Sequence, residues 1–148
     1  VADCVFCGIV AGTVPAFVVT DEEDGMAFLD TRPVFEGHVL VVPRPHVVQL
    51  TELADDLLPG YFALVRRIAA AVPAATGSTG TFVAMNNLVS QSVPHLHTHV
   101  VPRTKGDGLR GFFWPRRRYA GDAEAAETAR TIGKEYRRLS VTDSGRRE

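Results

Sequence analysis

His95, His97 and His99 stand at alternate positions in the run His95-Leu96-His97-Thr98-His99-Val100-Val101. In an extended chain successive side chains face opposite ways, so residues two apart share a face. Three imidazoles then project from one side, about 6.5–7 Å apart along the strand, and Leu96, Thr98 and Val100 fill the other. Packing alone does not explain three on one face, because neutral imidazoles need hydrogen-bond partners and charged ones repel. Two kinds of chemistry fit. In one, the imidazoles hold a catalytic zinc that activates water. In the other, one histidine is a nucleophile and its neighbours donate hydrogen bonds to a phosphate. The second fits better. A metal-activated site usually adds a carboxylate, and His95 to Arg103 contains no Asp or Glu, whereas Asn86-Asn87 and Gln91-Ser92 offer amide and hydroxyl groups suited to phosphate oxygens.

The two cysteines, Cys4 and Cys7, are spaced Cys-Val-Phe-Cys. A redox pair of this spacing usually follows a strand and opens a helix, and no strand precedes this one. Half of a zinc site fits better and needs two further ligands, for which His46 and one triad histidine are available. Two inert thiols are the third reading.

The elements that must position these residues follow from pattern. Phe6 to Ala11 reads as a short apolar helical turn or helix stopped by Gly12, and residues 16–20 read as a strand. Met26 to Asp30 is a second strand and 38–42 a third, nearly all apolar and therefore buried on both faces. Residues 54–75 repeat apolar groups at helical spacing, with Pro73 predicted to end or kink the helix. Residues 81–85 and 97–101 give two more strands, and a last helix runs from Asp122 to about Leu139. The aromatic cluster Phe112-Phe113-Trp114 with Arg116-Arg117-Arg118 reads either as a cover meeting polyphosphate or as a plug under that helix. Hairpin succession plus two helices makes an α+β domain with a mainly antiparallel sheet.

At 148 residues the chain fits one domain, residues 1–148, with its core at 4–103, a loop and helix at 104–140 and a frayed tail at 141–148. Sixteen basic and seventeen acidic residues leave a net charge of -1, which argues against nucleic acid polymers and membrane surfaces as partners but admits a nucleotide. No apolar run approaches the roughly 20 residues of a membrane span. Val1-Ala2-Asp3 has neither the basic nor the apolar region of a secretory leader, so the expected compartment is the cytoplasm.

The triad run resembles the signature of the histidine triad (HIT) nucleotide hydrolases and transferases. Asp30 after its strand, Gly37-His38 opening the next, Pro43-Arg44-Pro45-His46 closing it and Gln91-Ser92-Val93 before the triad resemble the family pattern in order and spacing. The resemblance implies a five-stranded antiparallel sheet with two helices, continued across a homodimer. It implies attack on the α-phosphate of a purine nucleotide derivative through a nucleotidyl-histidine intermediate. The candidates are dinucleoside polyphosphates, nucleoside phosphoramidates and adenylylated conjugates. Among the catalytic residues it makes His97 the nucleophile, with His99 and His38 hydrogen-bonded to the phosphate and Gln91 near the leaving oxygen. For substrate binding it implies Phe6, Ile9, Phe28 and Leu40 against the base, Asp30 on the ribose, Asn86, and Ser92 beside the leaving group. For Phe28 and Leu40 core packing is the competing reading, and for Asp30 a turn before Arg32-Pro33. Zinc-containing relatives imply a structural site of Cys4, Cys7, His46 and His95. A nucleotide-binding regulatory protein with incidental hydrolysis, or a zinc-dependent hydrolase using the histidines as ligands, are the alternatives. One departure stands out: where the family often has a glycine-rich stretch, this chain has Asn87-Leu88-Val89-Ser90.

Overall fold

The computed structural model describes residues 3–110 and 117–144. Two compact units divide the chain, residues 1–108 and 109–148. In the first, the chain runs through helix α1 (Val5–Val10), strands β1 (Val18–Glu22), β2 (Gly25–Leu29) and β3 (Val39–Val42), helix α2 (Leu58–Thr76), and strands β4 (Gly80–Ala84) and β5 (Thr98–Arg103). The five strands form one antiparallel sheet in the order β1-β2-β3-β5-β4. The second unit carries helix α3 (Asp122–Ser144), on which Ile132, Tyr136 and Leu139 are exposed. No helix among the described residues is long and apolar enough to cross a membrane.

Alternation sorts the sheet into two faces. Ala27, Val39, Val41, Leu96 and Val100 pack with Tyr61, Leu64, Val65, Ile68 and Val72 of α2. The intervening residues Met26, Phe28, Leu40 and Val42 pack with Phe6 and Ile9 of α1. β3 is buried along its whole length, as an all-apolar strand between two covered faces must be.

Several boundaries depart from the reading by pattern. β1 lies two residues later than 16–20, because the tight reversal into β2 pairs Glu22 with Gly25. α2 begins at Leu58 with Pro59 in its first turn, and Pro73 does not end it. The helix runs on to Thr76, where Gly77 takes a left-handed φ of 71° and donates to the Pro73 carbonyl. The last strand begins at Thr98, so His95 and His97 precede the ladder, yet they keep the alternation of faces. α3 continues through 141–144, part of the segment predicted to fray. The aromatic cluster 112–114, Arg116 and the tail 145–148 lie outside the described residues.

Candidate nucleotide site and metal centre

α1 is only six residues long, but it sets both sites. Cys4 caps its N-terminus, accepting from the Cys7 amide through Sγ at 3.4 Å. One turn separates the two sulfurs, which brings both to His95. The His95 Nδ1 lies 3.5 Å from each of them, and His46 Nδ1 lies 3.2 Å from Cys7 Sγ. All four donor atoms fall within 4.8 Å of one another. Tetrahedral zinc with ordinary Zn–S and Zn–N bonds sets sulfur and nitrogen about 3.5 Å apart, so this donor set fits that ion. The fully buried His95 ring is also oriented for it. Its Nε2 lies 3.0 Å from the Pro43 carbonyl, which can only accept, so the hydrogen is on Nε2 and the lone pair on Nδ1 faces the sulfurs.

The other triad rings go elsewhere. His97 Nδ1 lies 2.7 Å from the His95 carbonyl, which places the hydrogen on Nδ1 and the lone pair on Nε2. His99 Nδ1 lies 3.0 Å from His38 Nε2, and His38 Nδ1 accepts from the Val34 amide at 3.2 Å. This order fixes both tautomers: His38 donates from Nε2 to His99 Nδ1, and His99 carries its own hydrogen on Nε2. Burial, reinforced by the neighbouring His97 and His38, lowers His99 to about 4. Burial likewise pulls His38 down, against the opposing charge of Asp30. Both are neutral donors at pH 7. Three rings with three destinations do not converge on one metal, and no potential metal group among the described residues includes His97. Besides the four zinc-type donors, Asp30, His38 and His99 form a second group whose ligand atoms could hold a metal ion.

Next to α1 opens a cavity of about 670 Å³, lined among others by Phe6, Ile9, Phe28, Leu40, Asp30, Ser92, His97 and His99. Phe6 stands edge-on to both Phe28 and His97, with ring centroids 5.4 and 5.2 Å away. Asp30 does two things at once. Its Oδ1 accepts from the Arg32 amide at 2.8 Å, the turn role, while the residue still lines the cavity.

Three anticipated contacts do not reach this cavity. His38 is buried, its ring nitrogens engaged by the Val34 amide and by His99, and it is not among the residues lining the cavity. Gln91 spends both ends of its amide on backbone, donating to Val48 O at 2.6 Å and accepting from Leu88 N at 2.9 Å. Asn86 donates to Ser90 O at 3.2 Å within its own loop. Conversely, Pro15, Ala16 and Arg32 line the cavity without having been anticipated. Arg32 follows Asp30 by two residues, so proximity to the carboxylate was the available signal.

The chain matches the family model described as HIT domain over residues 11–106. It is 32% identical over 114 residues to an adenosine 5'-monophosphoramidase of Schizosaccharomyces pombe, covering 76% of this chain and 83% of that protein. Among solved structures, a HIT family member from Bacillus subtilis superposes with a TM-score of 0.81 at 34% identity, over 89% of this chain and 96% of that one. A zinc-bound histidine triad family protein from Mycobacterium smegmatis gives a TM-score of 0.69 at 39% identity, over 78% and 86% of the two chains.

Proposed function

This chain belongs to the HIT family, and from that premise we propose that it hydrolyses or transfers nucleotidyl groups, attacking the α-phosphate of a purine nucleotide derivative. The observation that carries this reading is the His97 ring, whose Nδ1 hydrogen is given to the His95 carbonyl and whose free Nε2 belongs to a residue lining the cavity. Nε2 attacks phosphorus, the bond to the leaving group breaks, and its electron pair departs with that group. Water then cleaves the phosphorus–nitrogen bond. Over both steps the phosphorus gains hydroxyl, the leaving group gains hydrogen, and His97 returns unchanged. His99 donates from Nε2 to a phosphate oxygen, and its neutral state avoids trapping the product by charge. The aromatic and aliphatic wall of Phe6, Ile9, Phe28 and Leu40 takes the base, Asp30 accepts from the ribose hydroxyls, and Ser92 lies toward the leaving group. The activity in the name of the Schizosaccharomyces pombe relative, an adenosine 5'-monophosphoramidase, is one instance of this chemistry.

A structural zinc held by Cys4, Cys7, His46 and His95 belongs to the same proposal, supported by the donor geometry and by the zinc-bound relative. It would supply a cross-link between α1 and the triad segment.

The test is nucleoside monophosphate release from a panel of dinucleoside polyphosphates, nucleoside phosphoramidates and adenylylated conjugates. His97→Ala should abolish release, and added imidazole should restore part of it in His97→Gly. Full turnover in His97→Ala would refute the proposal.

A further inference from the structure

The proposed chemistry uses only the cavity side of the triad strand. On the reverse side, Thr98 stands between His97 and His99 and is fully buried against α2. Its Oγ1 lies 2.7 Å from the hydroxyl of Tyr61, and that hydroxyl lies 3.0 Å from the Val41 carbonyl. Because a carbonyl only accepts, Tyr61 donates to Val41 and Thr98 donates to the Tyr61 oxygen. Val41 and Thr98 are partners across the β3–β5 ladder, and the adjacent pair is Leu40 and His99. One phenol thus closes a contact that joins α2, β3 and β5 one residue from each of the two histidines facing the cavity.

Packing does not require this hydroxyl. Tyr61 is 0% exposed in a cluster with Leu64, Leu96, Val41 and Val100, whose apolar side chains offer its hydroxyl no partner. A buried polar pair is tolerated only when each group is satisfied, and once satisfied it holds one geometry in preference to its neighbours. Burial raises the Tyr61 hydroxyl to about 12, so it stays a donor at any pH the protein meets.

Resting on the function proposed above, we propose that Tyr61 and Thr98 are positioning residues for nucleotidyl transfer, their hydroxyls fixing β5 against β3 so that His97 and His99 meet the α-phosphate together. Neither touches the nucleotide. The base and ribose wall comes from α1, β2 and β3, so loss of the contact should slow transfer and spare binding.

The experiment uses Tyr61→Phe, Thr98→Val and Thr98→Ser in the full chain. It measures single-turnover formation of nucleotidyl-enzyme from a nucleoside phosphoramidate, AMP affinity by calorimetry, and nitrogen-15 imidazole spectra. A misplacement near 1 Å can cost about a hundred-fold in rate, so Tyr61→Phe and Thr98→Val should each slow transfer about ten-fold or more. AMP affinity should hold within about two-fold. Thr98→Ser keeps the hydroxyl and should keep the rate. The double variant should be no slower than either single one, since both remove one contact. The imidazole signals of His97 and His99 should shift in the two slow variants. Unchanged rates and spectra in Tyr61→Phe and Thr98→Val would overturn the proposal, as would AMP affinity falling in parallel with rate. If the unmutated protein forms no nucleotidyl-histidine, the functional reading fails. The spectra then decide the positioning role by themselves, shifted signals supporting it and unmoved ones refuting it.

Discussion

At the scale of single residues, the site depends on hydrogens being on particular nitrogens. The order from the Val34 amide through His38 to His99 works only while both rings are neutral, since a protonated His38 would set two N–H groups against each other at Nδ1. The folded protein holds His99 at about 4 and His38 below its ordinary value, both through burial first, whereas unfolded histidine titrates near 6.5. Between these values the unfolded chain binds more protons, so stability rises with pH across that window and is lost as pH falls from about 6.5 toward 4. Melting temperatures should therefore decline over that interval, and the decline should shrink in His99→Gln. An imidazole titration by NMR that finds His99 protonating near 6.5 would contradict this. Asp30 admits a separate measurement. Asp30→Asn keeps the oxygen that accepts from Arg32 but removes the charge proposed to meet the ribose. A charge-assisted hydrogen bond contributes about 1.5–3 kcal/mol, so ribonucleotide affinity should fall about ten-fold or more and 2'-deoxy analogues should lose less. Equal losses would leave Asp30 with its turn role alone.

At the scale of elements, what is legible in sequence is the side on which a residue lies, and what is not is the partner it finds there. The period-two alternation separates His95, His97 and His99 from the core side chains Leu96 and Val100, because burial on both faces leaves no freedom of register. The destinations of His95 and His99 depend on Pro43, His38 and the Cys4–Cys7 turn, all more than fifty residues upstream, and no local pattern reports them, whereas His97 turns to the nearby His95 carbonyl. The loop before the triad is opaque for another reason. Leu88 and Ser90 adopt left-handed φ of 67° and 60° without being glycine, so the usual signal for such a turn is missing. That conformation is held by Asn86, Gln91 and the Asn87 side chain, which accepts from Leu50 N at 2.8 Å. α2 shows the same limit. Its helical stripes suggest a second packed face through Phe62 and Val65, but Val65 is in the core and only Phe62 is exposed, at 41%. We propose that the homodimer implied by the family uses the Phe62 side of α2. Phe62→Glu should then yield a folded monomer by light scattering, whereas Val65→Asp should unfold the chain by burying a charge. A monomer at micromolar concentration for the unmutated protein would refute the dimer.

At the scale of the whole molecule, everything assigned to function lies within the first compact unit. Both hydrophobic clusters, all five strands, the four candidate zinc ligands and the cavity residues fall between Cys4 and Arg103. The second unit contributes α3, whose Ile132 and Tyr136 are largely exposed. A unit whose apolar clusters are closed by its own residues has what it needs to fold alone, and a domain of this size lies above the range in which cross-links become obligatory. A chain ending at Gly108 should therefore give a cooperative thermal transition, carry one zinc by metal analysis, and bind AMP as the full chain does. Substitution of Cys4 and Cys7 by serine should remove the metal and lower that transition, because a ligand set of this kind contributes directly to folding. If activity also matches across the substrate panel, the segment after Gly108 has no part in leaving-group choice. If binding holds but the preference among leaving groups changes, that segment selects the substrate while residues 4–103 perform the chemistry. An unfolded or metal-free product from the shortened chain would show instead that the division into two units does not correspond to independent stability.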